Sequence, residues 1–273
     1  MNFKEKLAQL IEKKNSLLCI GLDIDVEKCP AAVLSQDSPL FYFNKQIIDA
    51  TADVAVAYKM NSAFYEAHGM AGWRALQETF DYLPSHVLKI ADAKRGDIGN
   101  TSVKYARALF EELKADAITV NPLLGYDSVQ PFIQFPDKGV FFLCLTSNAG
   151  SRDFQYFSDG RVTLYQTIAV KVKEWDTQGN CGLVVGATHP QELAAVRQLA
   201  DVPFLIPGIG AQGGDLELAV QYGTDQDGSM ALFNSSRAII YASAAADFAG
   251  AAREQAVKTR DAINSSRGNK TKK

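Results

Sequence analysis

The strongest constraint on this chain is an eightfold alternation of short apolar runs with longer segments of helical spacing. The runs are Leu17–Leu22, Val54–Tyr58, Val87–Lys94, Ala117–Val120, Gly139–Thr146, Cys181–Gly186, Phe204–Ile206 and Ser229–Phe233. Gly139–Thr146 (GVFFLCLT) is apolar without a break, as expected of a strand covered on both faces. Helical segments follow the runs at Pro39–Ala52, Ala63–Phe80, Thr101–Leu113, Tyr126–Phe135, Val162–Trp175, Pro190–Ala200, Asp215–Tyr222 and Ala242–Asn264. Strict alternation implies a parallel sheet, and eight units in 273 residues imply closure into a (β/α)8 TIM barrel. An open doubly wound sheet is the alternative. No linker rich in Pro, Gly or Ser divides the pattern, so residues 1–264 read as one α/β domain, opening with an amphipathic helix over Met1–Asn15. The polar, basic tail 265–273 reads as disordered.

Composition narrows the class of function. The formal net charge of −3 gives no sign of a nucleic-acid partner. No stretch approaches the roughly 20 apolar residues of a membrane helix, and Met1–Asn15 lacks the apolar core of a signal peptide. Of the four cysteines, three lie in apolar runs and none forms a C-x-x-C pair, which points to a reducing, cytoplasmic setting. The three histidines are widely spaced, so no histidine-based metal site is expected.

In a barrel of this kind the functional groups stand at the C-terminal strand ends. The third run ends in Asp92-Ala93-Lys94-Arg95-Gly96-Asp97. Period-two alternation puts Asp92 and Lys94 on one side of the strand. Gly96 permits a sharp departure, and Asp97 can stand before the next helix. Other strand ends add Asp23, Lys59, Asn121, Ser147, Gln212 and Arg237, while the sixth offers only Ala187 and Thr188. A solvated rim of ordinary charges is the bland reading. Two lysines, two aspartates and an arginine at one mouth exceed what solubility requires.

The seventh run leads into Pro207–Gly214 (PGIGAQGG), and Ser235-Ser236-Arg237 follows the eighth. Unsubstituted backbone at a helix start can approach an anion, and a guanidinium can grip phosphate oxygens in pairs. Barrels commonly hold phosphate with these two loops; tight turns alone are the competing explanation for the glycines. Gly208–Gly213 also matches G-x-G-x-x-G, but it sits in the seventh unit and not at the start of a dinucleotide fold. The segment Ser147–Gly160 (SNAGSRDFQYFSDG) is long for a strand-to-helix loop and reads as a lid.

Taken together, the motifs CIGLDID, AYKMNSAFYE, DAKRGDIGNTS, VNPLLGYDS, LCLTSNAGSRDFQ, LVVGATHPQEL, PGIGAQGGD and NSSRAIIYA resemble the orotidine 5′-phosphate decarboxylase family in its longer bacterial subgroup. One departure is Ala149, where the pattern has Pro, a change that touches lid stiffness. The resemblance implies decarboxylation of orotidine 5′-phosphate to UMP and CO2, with neither metal nor organic cofactor. It implies that Lys94 is the acid that protonates C6 and that Asp92 stands near the substrate carboxylate. Lys59 would bridge Asp92 and the ribose, and Asp23 would accept from a ribose hydroxyl. Asp97, with Ile98 and Thr101, would reach the neighbouring site of a homodimer. Ser147 would contact the pyrimidine, and Gln212, Ser236 and Arg237 the phosphate.

Loss of CO2 leaves a carbanion at C6 with no electron sink, so a fixed ammonium must stabilise and then quench it. A magnesium-dependent sugar-phosphate aldolase or decarboxylase of the same barrel superfamily, with Asp92 as metal ligand, is the alternative enzyme. A nucleotide-binding barrel without turnover is a third reading.

Overall fold

The computed structural model describes residues 1–209 and 215–268. Eight strands close in chain order: β1 (Leu18–Gly21), β2 (Ala57–Asn61), β3 (Leu88–Arg95), β4 (Ala117–Val120), β5 (Gly139–Leu145), β6 (Cys181–Val185), β7 (Phe204–Pro207) and β8 (Ala231–Ser235). All neighbouring pairs are parallel, and β1 bonds to both β2 and β8, so the sheet is a barrel and not an open one. β1, β4 and β6 are buried at every position, which explains their largely apolar character.

The amphipathic N-terminal helix spans Phe3–Lys14. Asn2 and Glu5 form a reciprocal capping box, which satisfies two of the N–H groups a helix start leaves open. Phe3, Leu7 and Ile11 fall on one face and are buried. The Phe3 ring meets Phe141 edge-on at 5.8 Å, and its backbone N–H donates to the Pro136 carbonyl at 2.9 Å. These contacts lie at the N-terminal end of β5, so the helix stoppers the barrel from below.

Several boundaries differ from the sequence reading. β2 starts at Ala57 and runs to Asn61, so Lys59 lies within the strand; Val54 and Ala55 are buried in the preceding turn instead. The helix expected over Ala63–Phe80 is two, Ala63–Glu66 and Gly69–Tyr82. Gly69 has φ +58°, and a Cβ on Gly72 would lie 1.8 Å from the Tyr65 carbonyl oxygen, so the two pieces cross too closely for any side chain there. The helix after β3 covers Gly99–Arg107 and then widens through Ala108–Glu112, where Leu113 N–H reaches back five residues to Ala108.

The last helix, Phe248–Gly268, includes the first four residues assigned to a disordered tail. Buried Ile263 anchors it, the Ser266 hydroxyl donates to the Ala262 carbonyl, and Arg267 donates to Asn264. The rest of that tail, 269–273, lies outside the described residues. No helix among the described residues is long and apolar enough to cross a membrane.

Candidate active site

Four charged side chains from the first three strands form one continuous chain of contacts. Asp23 stands just past β1 and accepts the Asn61 backbone N–H at 3.0 Å. Lys59 Nζ lies 3.3 Å from each carboxylate oxygen of Asp23 and 3.1 Å from Asp92 Oδ2. Lys94 Nζ lies 2.6 Å from Asp92 Oδ1. The Lys59 side chain is 5% exposed and that of Asp92 9%, whereas that of Lys94 is 45% exposed toward the mouth.

Burial works against both inner charges, and their neighbours decide the outcome. For Asp92, burial pushes the carboxyl up, but Lys59 and Lys94 beside it, with hydrogen bonds from Lys94 and Thr119, hold it well below the usual carboxylate range. For Lys59, burial pulls the ammonium down, and Asp23 and Asp92 more than offset it, leaving it above its ordinary value. Both therefore stay charged at neutral pH.

The placement of Lys94 follows from an irregularity in β3. Ala91 pairs with Ile118 and Arg95 with Val120, so Asp92, Ala93 and Lys94 face Thr119 alone. Lys94 takes up the extra length with φ +46°, a left-handed conformation that is uncommon for a residue with a Cβ. Period-two alternation correctly puts Asp92 and Lys94 on one side, but this bulge brings the ammonium back onto the carboxylate. Thr119 sits in the gap. Its hydroxyl accepts the Lys94 backbone N–H at 2.9 Å and donates to Asp92 Oδ1 at 2.8 Å.

These groups line a cavity of about 410 Å³ at the C-terminal strand ends. Leu143, Val184 and Leu205, from β5, β6 and β7, give its other side an apolar wall. Ser236 and Arg237 stand at its rim with Pro207 and Gly208. The Ser236 hydroxyl donates to the Gly21 carbonyl at 2.9 Å, tying the last loop to the first strand. Ser147 also lines the cavity, and its Oγ is buried with no hydrogen-bond partner among the described residues, a vacancy that suits a polar ligand group. Gly186 faces it; a Cβ there would lie 2.3 Å from that oxygen.

The structure thus gathers Asp23, Lys59, Asp92, Lys94, Ser147, Ser236 and Arg237 around one space. It does not bring Asp97, Ile98 or Thr101 there. Asp97 Oδ1 accepts the Ile98 N–H at 2.8 Å, Ile98 is 60% exposed, and Thr101 is exposed on the following helix. Gln212, with most of the glycine-rich loop, lies outside the described residues. Asn121 turns aside to accept the Leu123 N–H.

The segment Ser147–Gly160 holds a short helix, Ser151–Phe154. The Gln155 side chain pins it to Thr146 by a pair of hydrogen bonds of 2.8 and 2.9 Å. Phe154 and Phe157 are each 72% exposed on it.

Asn61 and Asn234, at the ends of β2 and β8, also line the cavity, and so does Thr119, which the sequence reading passed over because it sits inside β4 and not at a strand end. The Asn234 Oδ1 accepts the thiol of Cys19 at 3.5 Å, and burial pushes that thiol up to about 12, so it carries its proton. All four cysteines are free and buried. Both oxygens of Asp92 are taken by ammonium groups, the reverse of what a divalent cation requires. Among the described residues no three His, Cys, Asp or Glu side chains cluster as metal ligands.

Comparison with known proteins places the chain in a family. Residues 16–254 match the family model described as orotidine 5′-phosphate decarboxylase / HUMPS family. An orotidine 5′-phosphate decarboxylase of Dehalococcoides mccartyi is 50% identical over 270 residues, 97% of this chain and 98% of its own length. One from a Janthinobacterium species is 49% identical over 269 residues, with the same coverage of 97% and 98%. Among solved structures, the OMP decarboxylase of Leishmania donovani superposes with a TM-score of 0.84 at 41% identity, covering 98% of this chain and 99% of that one. The UMP synthase of the same organism superposes with a TM-score of 0.85 at 43% identity, covering 97% of this chain and 57% of that longer one.

Proposed function

The chain belongs to the orotidine 5′-phosphate decarboxylase family, and from that membership together with the geometry of its cavity we infer how its residues divide the work. The reaction is the decarboxylation of orotidine 5′-phosphate to UMP and CO2 in pyrimidine biosynthesis. The magnesium-dependent alternative is not supported. The observation that carries the assignment of roles is the Lys94 ammonium, 2.6 Å from Asp92 in the cavity whose rim presents Arg237.

In this reading the bond from C6 to the substrate carboxylate breaks heterolytically. CO2 departs, and the electron pair stays on C6. Lys94 faces that carbon, stabilises the charge as it develops, and then transfers a proton to it. The neutral amine left behind recovers a proton from water. Asp92 borders the departing carboxylate, while Lys59 holds Asp92 ionised and reaches the ribose. Asp23 accepts from a ribose hydroxyl. The apolar wall of Leu143, Val184 and Leu205 suits a planar pyrimidine, and the open Ser147 hydroxyl reads its polar edge. Arg237, Ser236 and Gln212 take the phosphate, whose binding energy holds the substrate at the reacting centre.

Asp97, Ile98 and Thr101 serve a second copy of the chain. Ile98 and Thr101 are exposed outside their own cavity, which supports a homodimer in which each protomer completes its partner's site. The free, buried cysteines support a cytoplasmic setting.

The test is ultraviolet-monitored consumption of orotidine 5′-phosphate with and without EDTA. Turnover unaffected by chelator is expected; its loss on chelation would overturn the metal-free reading. Co-expressing Lys94→Ala with Asp97→Ala, each inactive alone, should regain activity through mixed dimers with one intact site. Failure to regain it would remove Asp97 from the partner's site.

A further inference from the structure

We propose that Thr119 is the residue that positions Lys94 for proton transfer, by converting the β3 bulge into a rigid mount for the ammonium. Three residues, Asp92 to Lys94, oppose Thr119 alone, so the regular ladder cannot serve every backbone group in that stretch. The Lys94 N–H donates to a side chain on β4, the Thr119 hydroxyl, at 2.9 Å. The N–H is part-buried there and gains from an acceptor, and Thr119 itself is 1% exposed.

The same oxygen must also give. It donates to Asp92 Oδ1 at 2.8 Å, the oxygen that receives the Lys94 ammonium at 2.6 Å. A closed ring results: Lys94 backbone to Thr119 hydroxyl, Thr119 hydroxyl to Asp92 carboxylate, and Asp92 carboxylate to Lys94 side chain. Only a group that is donor and acceptor at one atom can close so small a ring, and a hydroxyl is that group. Valine, of the same shape, can do neither. The ring fixes both ends of Lys94, its left-handed backbone (φ +46°) and its terminal nitrogen. A long lysine side chain would otherwise sample several rotamers at the mouth. Thr119 thus acts through Lys94 and Asp92.

The claim about geometry stands on the structure alone; the claim about rate rests on the decarboxylase reading. Crystal structures and steady-state kinetics of Thr119→Val and Thr119→Ser separate the two. In Thr119→Val the Lys94 nitrogen should leave Asp92 Oδ1, or the backbone should leave the left-handed region, while Thr119→Ser keeps both. For orotidine 5′-phosphate, kcat of the Val variant should fall about 10- to 100-fold, the worth of one hydrogen bond to a charged group. KM and UMP affinity should stay within about threefold of wild type, and Ser should restore kcat. Should Thr119→Val fail to fold, Thr119→Ala, which likewise can neither donate nor accept there, takes its place under the same criteria.

The proposal is overturned if Lys94 keeps its conformation and its contact without the hydroxyl. It is equally overturned if kcat is unchanged, or if kcat and UMP affinity fall together with no rescue by Ser. A wild-type protein inert toward orotidine 5′-phosphate would sink the decarboxylase reading, and the crystal structures would still decide the role of Thr119.

Discussion

Replacing Lys59 by Met tests whether the inner charges are held by mutual neutralisation. The Lys59 ammonium lies 3.1 Å from Asp92 and 3.3 Å from Asp23, with its side chain 5% exposed. At an effective dielectric near 20, each contact is worth about 5 kcal/mol before desolvation. Desolvation cancels much of that, and removing one partner of a buried ionic cluster typically leaves a net loss of about 3–5 kcal/mol. For a chain of this size the loss corresponds to a fall in Tm of about 6–20 °C, read by calorimetry.

The pH dependence gives an independent check. In the wild type the Asp92 carboxyl is depressed against burial by Lys59 and Lys94, so it contributes stability above the unfolded value of about 3.9 and loses it as pH falls through the folded value. The charged groups facing it are Lys59, Lys94 and, beyond Lys59, Asp23. Without Lys59, burial acts on Asp92 with only Lys94 and the Thr119 hydrogen bond opposing it, and the carboxyl moves up. The variant then takes up a proton more readily and loses less on acidification, so the Tm gap to wild type should narrow from pH 8 to pH 4. A variant within about 1 kcal/mol of wild type at both pH values, the range of ordinary surface changes, would refute the account of Lys59 as a buried neutraliser.

Three further outcomes are expected. Lys94→Ala should lower kcat at least about 1000-fold in the ultraviolet assay, since it removes both the acid and the stabilising charge; retained turnover would strip Lys94 of its role. Arg237→Ala should weaken UMP binding about 10- to 100-fold by calorimetric titration while leaving uridine binding unchanged, because only the phosphate meets the guanidinium; an equal loss for uridine would place Arg237 elsewhere on the ligand. Gly186→Ala places a methyl 2.3 Å from Ser147 Oγ, so Ser147 must shift. KM should rise about 10-fold, the worth of one hydrogen bond, and adding Ser147→Ala should cost little more; a wild-type KM would show that Ser147 has another place to go.

The eight strands were legible because each is short, apolar and followed by helical spacing, and β4 falls where the sequence reading put it, Ala117–Val120. The charged groups were legible because strand ends face one mouth in a closed parallel sheet. Thr119 was not legible. In the run Ala-Ile-Thr-Val it reads as an ordinary β-branched residue, and its meaning comes from a bulge on a different strand. The broken helix at Gly69 escaped for a similar reason: its apolar spacing continues across the break, and only the approach of Tyr65 to Gly72 forces it. The C-terminal helix outran its expected end because Ser266 and Arg267 bond within the helix, an option that polar composition alone conceals.

Phe3, wholly buried and edge-on to Phe141, packs the foot of the barrel beside β5, at the end away from the cavity. A nucleotide bound in that cavity therefore meets solvent at the other end of the barrel, past Ser147 and Arg237.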